Sequence, residues 1–291
     1  MTEEFSMPNF PIVDSHVHLY DTNRLSYPWL AAVPAIAKSH LPADFDRARG
    51  AVAVERIVFA EVDVADGENI AEARFIAELA AKDARIQGII ASAHLEHGLA
   101  VAEELDALAR IDRVCAIRRL IQTQKDPEFC LRPDFIAGVR LLARYAWPFD
   151  ICVLHHQLPP AIELARRCPE VTFVLDHIGK PGIKAGLVEP WHAQIVALAR
   201  LPNVVCKISG VATEADHANW TPEQLRPYIA HCISEFGFDR VMFGSDWPVL
   251  ELAGTYAGWV DIVDQIVGAA AEADKRKLFR DTAIRVYRMP P

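Results

Sequence analysis

Eight short apolar, β-branched runs, separated by longer Ala-, Leu-, Glu- and Arg-rich stretches, constrain this chain more than any other feature. The strand-like runs cover 12–19, 56–62, 86–93, 114–121, 150–155, 171–176, 204–209 and 240–244. They read as near-continuous apolar segments, as strands buried on both faces do. Helix-like stretches fall between them at 69–82, 99–110, 133–145, 160–167, 190–200, 222–236 and 256–268, with a tail at 274–287. In the first, Ile70, Ala73, Ile76, Ala77 and Ala80 form one stripe at helical spacing. Thr221 before Pro222 and Glu223 predicts a capped helix start.

Eight strand–helix units in 291 residues predict an α/β fold, a single (β/α)8 TIM-type barrel. One domain then occupies 1–291, with 20–50 as a loop or lid insertion after the first strand. An open doubly wound sheet would carry a G-x-G-x-x-G turn after that strand, and here the strand ends in His16-Val17-His18.

Charge narrows the partners. With 30 basic and 39 acidic side chains the formal charge is −9, which argues against nucleic-acid and anionic-membrane partners and leaves a small-molecule substrate. A homo-oligomer is compatible with the sequence. The stretch 1–10 has neither basic nor apolar leader character, and none of the six cysteines forms a C-x-x-C pair. Free thiols at Cys115, Cys152 and Cys206, inside apolar runs, fit a cytoplasmic protein.

Nearly every apolar run ends in chemically able residues: His16 and His18; Glu61 and Asp63; His94; Arg118 and Arg119; His155 and His156; Asp176 and His177; Lys207 and Ser209; Asp246. In a parallel barrel these ends gather on one rim, where barrel enzymes keep their sites. His16 and His18, two apart on a strand, share a face and can grip one divalent ion, or can both be satisfied by loop backbone. Strands one and eight adjoin in a closed barrel, so Asp246 falls beside the pair as third ligand or as catalytic acid/base. His177 is read as a second catalytic group. Arg118 and Lys207, basic residues inside apolar strands, read as substrate anchors or as members of buried salt bridges to Glu61 or Asp176. By alternation His155 goes with Val153 and Ile151, though which set faces inward stays open.

The strings Val13-Asp14-Ser15-His16-Val17-His18, Asp176-His177-Ile178-Gly179-Lys180-Pro181, Lys207-Ile208-Ser209-Gly210 and Gly244-Ser245-Asp246-Trp247-Pro248 together resemble the amidohydrolase superfamily. The resemblance is to its amidohydrolase-2 branch of sugar lactonases, over about 12–287. It implies hydrolysis of a lactone ring by activated water. It implies one divalent metal, zinc or manganese, at His16, His18 and Asp246 with His177 close by, although some relatives need no metal. It also implies a lid around Trp29. Substrate contacts are assigned to Arg118, Lys207, Trp29, His94, His155 and Glu61. Arginines on strand four, where the wider superfamily has a carboxylated lysine or a glutamate, argue against a second metal. Two other functions are carried forward: a hydrolase or decarboxylase of a pyrone, muconolactone or related unsaturated acid, and a non-catalytic binding barrel.

Overall fold

The computed structural model describes residues 7–290, so the stretch 1–10, which lacks leader character by sequence, falls partly outside the described residues. Its strands are β1 (Ile12–Val17), β2 (Val54–Ala60), β3 (Ile86–Ser92), β4 (Val114–Arg118), β5 (Phe149–Ile151), β6 (Phe173–Leu175), β7 (Val204–Ile208) and β8 (Val241–Phe243). They form one eight-stranded sheet in sequence order, every neighbouring pair parallel. The seam closes just past β8, where Val17 bridges Trp247 and the His18 N–H donates to the Trp247 carbonyl at 2.8 Å. This is the (β/α)8 barrel that the alternation predicts.

Each strand has two buried faces. Val13, Val58, Ala60, Ile90, Ala116, Val174, Val205 and Met242 point inward and pack with Ala283, Val286, Tyr287 and Met289. Those last four belong to the C-terminal helix α10 (Thr282–Val286) and the residues after it, which plug the N-terminal end of the barrel. The opposite strand faces meet the outer helices: α2 (Asn69–Ala80), α3 (Ala102–Leu108), α4 (Pro133–Leu141), α5 (Leu158–Arg167), α6 (Trp191–Ala199), α7 (Pro222–Phe236) and α8 (Tyr256–Ile266). α7 begins where the sequence predicts, and its Gln224 Oε1 accepts from the Thr221 N–H at 3.0 Å. The 20–50 insertion is not all loop: it holds two short 3₁₀ turns and α1 (Pro42–Arg49). No helix among the described residues is long and apolar enough to cross a membrane.

Candidate active site

The seam builds the first part of the site. Asp14, fully buried on β1, accepts from the Ser245 N–H at 2.9 Å and from the Tyr256 hydroxyl at 2.8 Å. Burial raises its pKa to about 6 even so. The Asp246 N–H donates to the His16 carbonyl at 2.9 Å. This stitching sets Asp246 beside both β1 histidines: its Oδ1 lies 3.3 Å from His18 Nε2, 3.6 Å from His16 Nε2 and 3.9 Å from His177 Nε2.

The ring orientations follow from the other ring nitrogens. His18 Nδ1 is 2.9 Å from the Ala60 carbonyl oxygen and carries a proton there, with Nε2 turned toward Asp246. His16 Nδ1 lies 3.4 Å from Asp176 Oδ1, the one acid at that nitrogen. Burial holds His16 well below the usual histidine pKa. Burial likewise lowers His177 to about 4, and its Nδ1 meets Ser209 Oγ at 2.9 Å. Burial alone would raise Asp246, but the three imidazoles outweigh it and hold the carboxyl below the usual range. His16 Nε2, His18 Nε2 and an Asp246 carboxylate oxygen thus converge on one point. His16, His18 and Asp246 fit a divalent cation, and the far ring nitrogens rest on a main-chain carbonyl for His18 and on Asp176 for His16, the kinds of partner that orient metal-ligating histidines.

Beneath this focus lies a buried ionic layer. Lys207 Nζ is 2.5 Å from Asp150 Oδ2, 3.1 Å from Asp176 Oδ1 and 3.2 Å from His16 Nδ1. Tyr287 donates to the same Asp150 oxygen at 2.8 Å, joining the C-terminal plug to the site. Arg118 donates from Nε to Glu61 Oε1 at 2.6 Å, from Nη2 to the Glu61 carbonyl, and from Nη1 to Asp176 Oδ2 and His16 Nε2, both at 3.2 Å.

A cleft of roughly 240 Å³ opens above, lined in part by His18, Trp29, Arg118, His177, Lys180 and Asp246. Trp29 is fixed by its indole N–H, which donates to the Val62 carbonyl at 2.7 Å. The cleft wall is also strained. Asp63, His177, Lys180 and Asp246, four of the eight non-glycine residues with positive φ among those described, all line it. Gly210 (φ +57) is required beside them, because a Cβ there would lie 2.5 Å from His177 Nδ1 and 3.0 Å from Asp246 Oδ2.

Four of the expected substrate contacts are not on this wall. Lys207 is fully buried one layer below, and Glu61 is sequestered by Arg118. The salt-bridge alternative for Arg118 and Lys207 is the one the structure realises, although Arg118 also borders the cleft. His94 is turned outward, its ring held by Glu104 of α3 at 3.0 Å and Asp66 at 2.9 Å. His155 packs behind the wall, with Nδ1 on the Lys180 carbonyl at 3.2 Å. The inward set on β5 is Asp150 and then Cys152, which puts His155 on the helix-facing parity. Sequence reasoning set Asp63 on the rim without a role and passed over Gln122, Cys152 and Lys180 as cleft residues. For Lys180 the available signal was its place three residues after His177 in a turn full of conformational specials.

A family profile described as Amidohydrolase matches residues 13–289. The L-fucono-1,5-lactonase of Burkholderia multivorans is 31% identical over 96% of this chain and 96% of its own. A crystal structure of an amidohydrolase from Burkholderia multivorans with bound zinc superposes with a TM-score of 0.87 at 30% identity, covering 97% of this chain and 100% of that one. A 4-sulfomuconolactone hydrolase of Rhizobium radiobacter is 32% identical over a shorter region, 34% of this chain and 33% of its own.

Proposed function

The chain belongs to the amidohydrolase family, and from that premise we propose that it opens the ring of a sugar-derived lactone by attack of water. The observation that carries this reading is the ionised Asp246, set on the cleft with one oxygen toward three imidazoles and the other beside Gly210. Near full-length similarity to an L-fucono-1,5-lactonase supports the substrate class. The muconolactone alternative has similarity to 4-sulfomuconolactone hydrolases over 34% and 42% of the chain. The arginines of strand four would suit its acidic substrate, but Arg118 is engaged by Glu61, Asp176 and His16 and Arg119 by Glu96.

His16, His18 and Asp246 would hold one divalent ion, zinc on the precedent of the Burkholderia structure. Such an ion, when bound, lowers the pKa of water and polarises a carbonyl. The chain's own residues do the rest. Asp246 accepts a proton from the attacking water through the oxygen that faces Gly210. It returns that proton to the ring oxygen as the ester C–O bond breaks, which gives an open hydroxy acid. His177, fixed by Ser209, keeps its neutral ring against Asp246 and sets the direction of the carboxylate. Trp29 covers the cleft and limits water to the attacking molecule. Among the described residues the cysteines are all free, which supports a reducing, cytoplasmic setting.

The test is Asp246→Asn assayed on sugar 1,5-lactones with thermal unfolding alongside. Loss of nearly all turnover at unchanged unfolding temperature is expected. A folded variant that keeps its activity overturns the assignment.

A further inference from the structure

The two cations that strand patterning singles out, Arg118 and Lys207, have their donors engaged within the protein. A third cation on the cleft does not. Lys180 lines the same space as His177 and Asp246, and its side chain is 19% exposed. Among the described residues its Nζ makes no hydrogen bond, and the acid near it, Glu214 Oε1, stands 4.0 Å away. That distance keeps the ammonium charged and leaves its three donors available.

The backbone holds this side chain with care. Lys180 has φ +46, a conformation that a β-carbon disfavours. The turn is locked by the Lys180 N–H on the His177 carbonyl at 2.9 Å, by the Trp191 indole on the Ile178 carbonyl at 2.8 Å, and by His155 on the Lys180 carbonyl. A lysine in left-handed backbone, on a cleft wall with a distant ion pair and no hydrogen-bond acceptor for its ammonium, is costly unless it meets something there.

Building on the lactonase reading, we propose that Lys180 is a further catalytic residue, whose ammonium donates to the lactone carbonyl oxygen as that oxygen gains charge and then holds the product carboxylate. As the water oxygen bonds to the carbonyl carbon, the C=O π pair moves onto the oxygen facing Lys180. It returns when the ring C–O bond breaks, and the ring oxygen takes the proton from Asp246. Lys180 stays protonated throughout. Against a neutral lactone the ammonium gains little, and against the oxyanion it gains most, so its effect falls on the transition state.

Lys180→Met and Lys180→Arg test this, since both keep an unbranched, non-glycine residue in the turn. The probes are turnover of a neutral aldono-1,5-lactone and calorimetric binding of the corresponding open-chain hydroxy-acid anion. Lys180→Met is expected to lose about 10²–10³-fold in kcat with little change in KM. It should bind the anion at least about tenfold more weakly, and Lys180→Arg should restore part of both. Unchanged kcat and anion affinity in Lys180→Met overturn the proposal. So does a loss confined to KM on lactones that themselves carry a carboxylate, which makes Lys180 a substrate-acid anchor. A wild-type protein inert on every lactone defeats the reading of the preceding section instead. Anion binding lost in Lys180→Met then still upholds Lys180 as the anion contact, and equal binding rejects it.

Discussion

Lys207→Met probes the ionic layer under the site. Lys207 is fully buried and lies within 3.2 Å of Asp150, Asp176 and His16. Methionine matches its length without its charge, so the substitution leaves two buried carboxylates, on β5 and just past the neighbouring β6, without their shared cation. Breaking a buried pair from one side costs about 3–5 kcal/mol, because the orphaned charge loses both water and partner. Set against a total stability of about 5–15 kcal/mol, the variant folds at 25 °C with a reduced margin. At about 2–4 °C per kcal/mol for chains of 150–250 residues, the unfolding temperature falls by roughly 6–20 °C. Urea denaturation should move the midpoint at constant slope. Adding Asp150→Asn removes one orphaned charge and should recover part of the loss. A single-variant cost below about 1 kcal/mol, the range of an exposed ion pair, refutes the reasoning. So does strict additivity in the double variant.

Other consequences are direct. In Gly138→Ala the new Cβ would lie 2.1 Å from the Leu95 carbonyl oxygen, so α4 must shift; a loss of about 1–3 kcal/mol is expected in thermal unfolding. Trp29→Ala removes the hydrogen bond to Val62 and one wall of the cleft, and steady-state kinetics should show KM rising several-fold on every lactone that is turned over. Hydrogen bonds from Arg85 hold the Asp46 carboxyl down at about 2, against 3.8 ordinarily. A depressed carboxylate stabilises the fold above its unfolded pKa and loses that contribution as pH falls through its folded one. The half-exposed pair should therefore contribute up to about 1 kcal/mol above pH ~4 and none below pH ~2. Urea midpoints of Arg85→Met against the parent protein across that window would read this out.

The barrel was legible because strands covered on both faces leave unbroken apolar runs, and β1, β3 and β7 begin where the runs do. α1 was not, since its sequence PADFDRAR buries one residue, Phe45, and shows no stripe. Its trace lay in Pro42 at the first turn and in Asp44, which accepts from the Leu41 N–H. Lys207 reads from the sequence as substrate anchor or buried ion-pair member alike, because alternation says nothing of height along the axis, and one layer separates the two. His94 has inward parity too, yet lies beyond the end of β3, where Glu104 and Asp66 draw it outward. Lys180 sits in a left-handed turn where no periodicity applies, and donor accounting in three dimensions was needed to find it.

The most direct test is acid release when the purified protein meets L-fucono-1,5-lactone and related aldono-lactones, with spontaneous hydrolysis subtracted and Asp246→Asn run alongside. One proton per ring opened, well above background and abolished in the variant, is the predicted result. Release no faster than in buffer across the whole series would contradict the account.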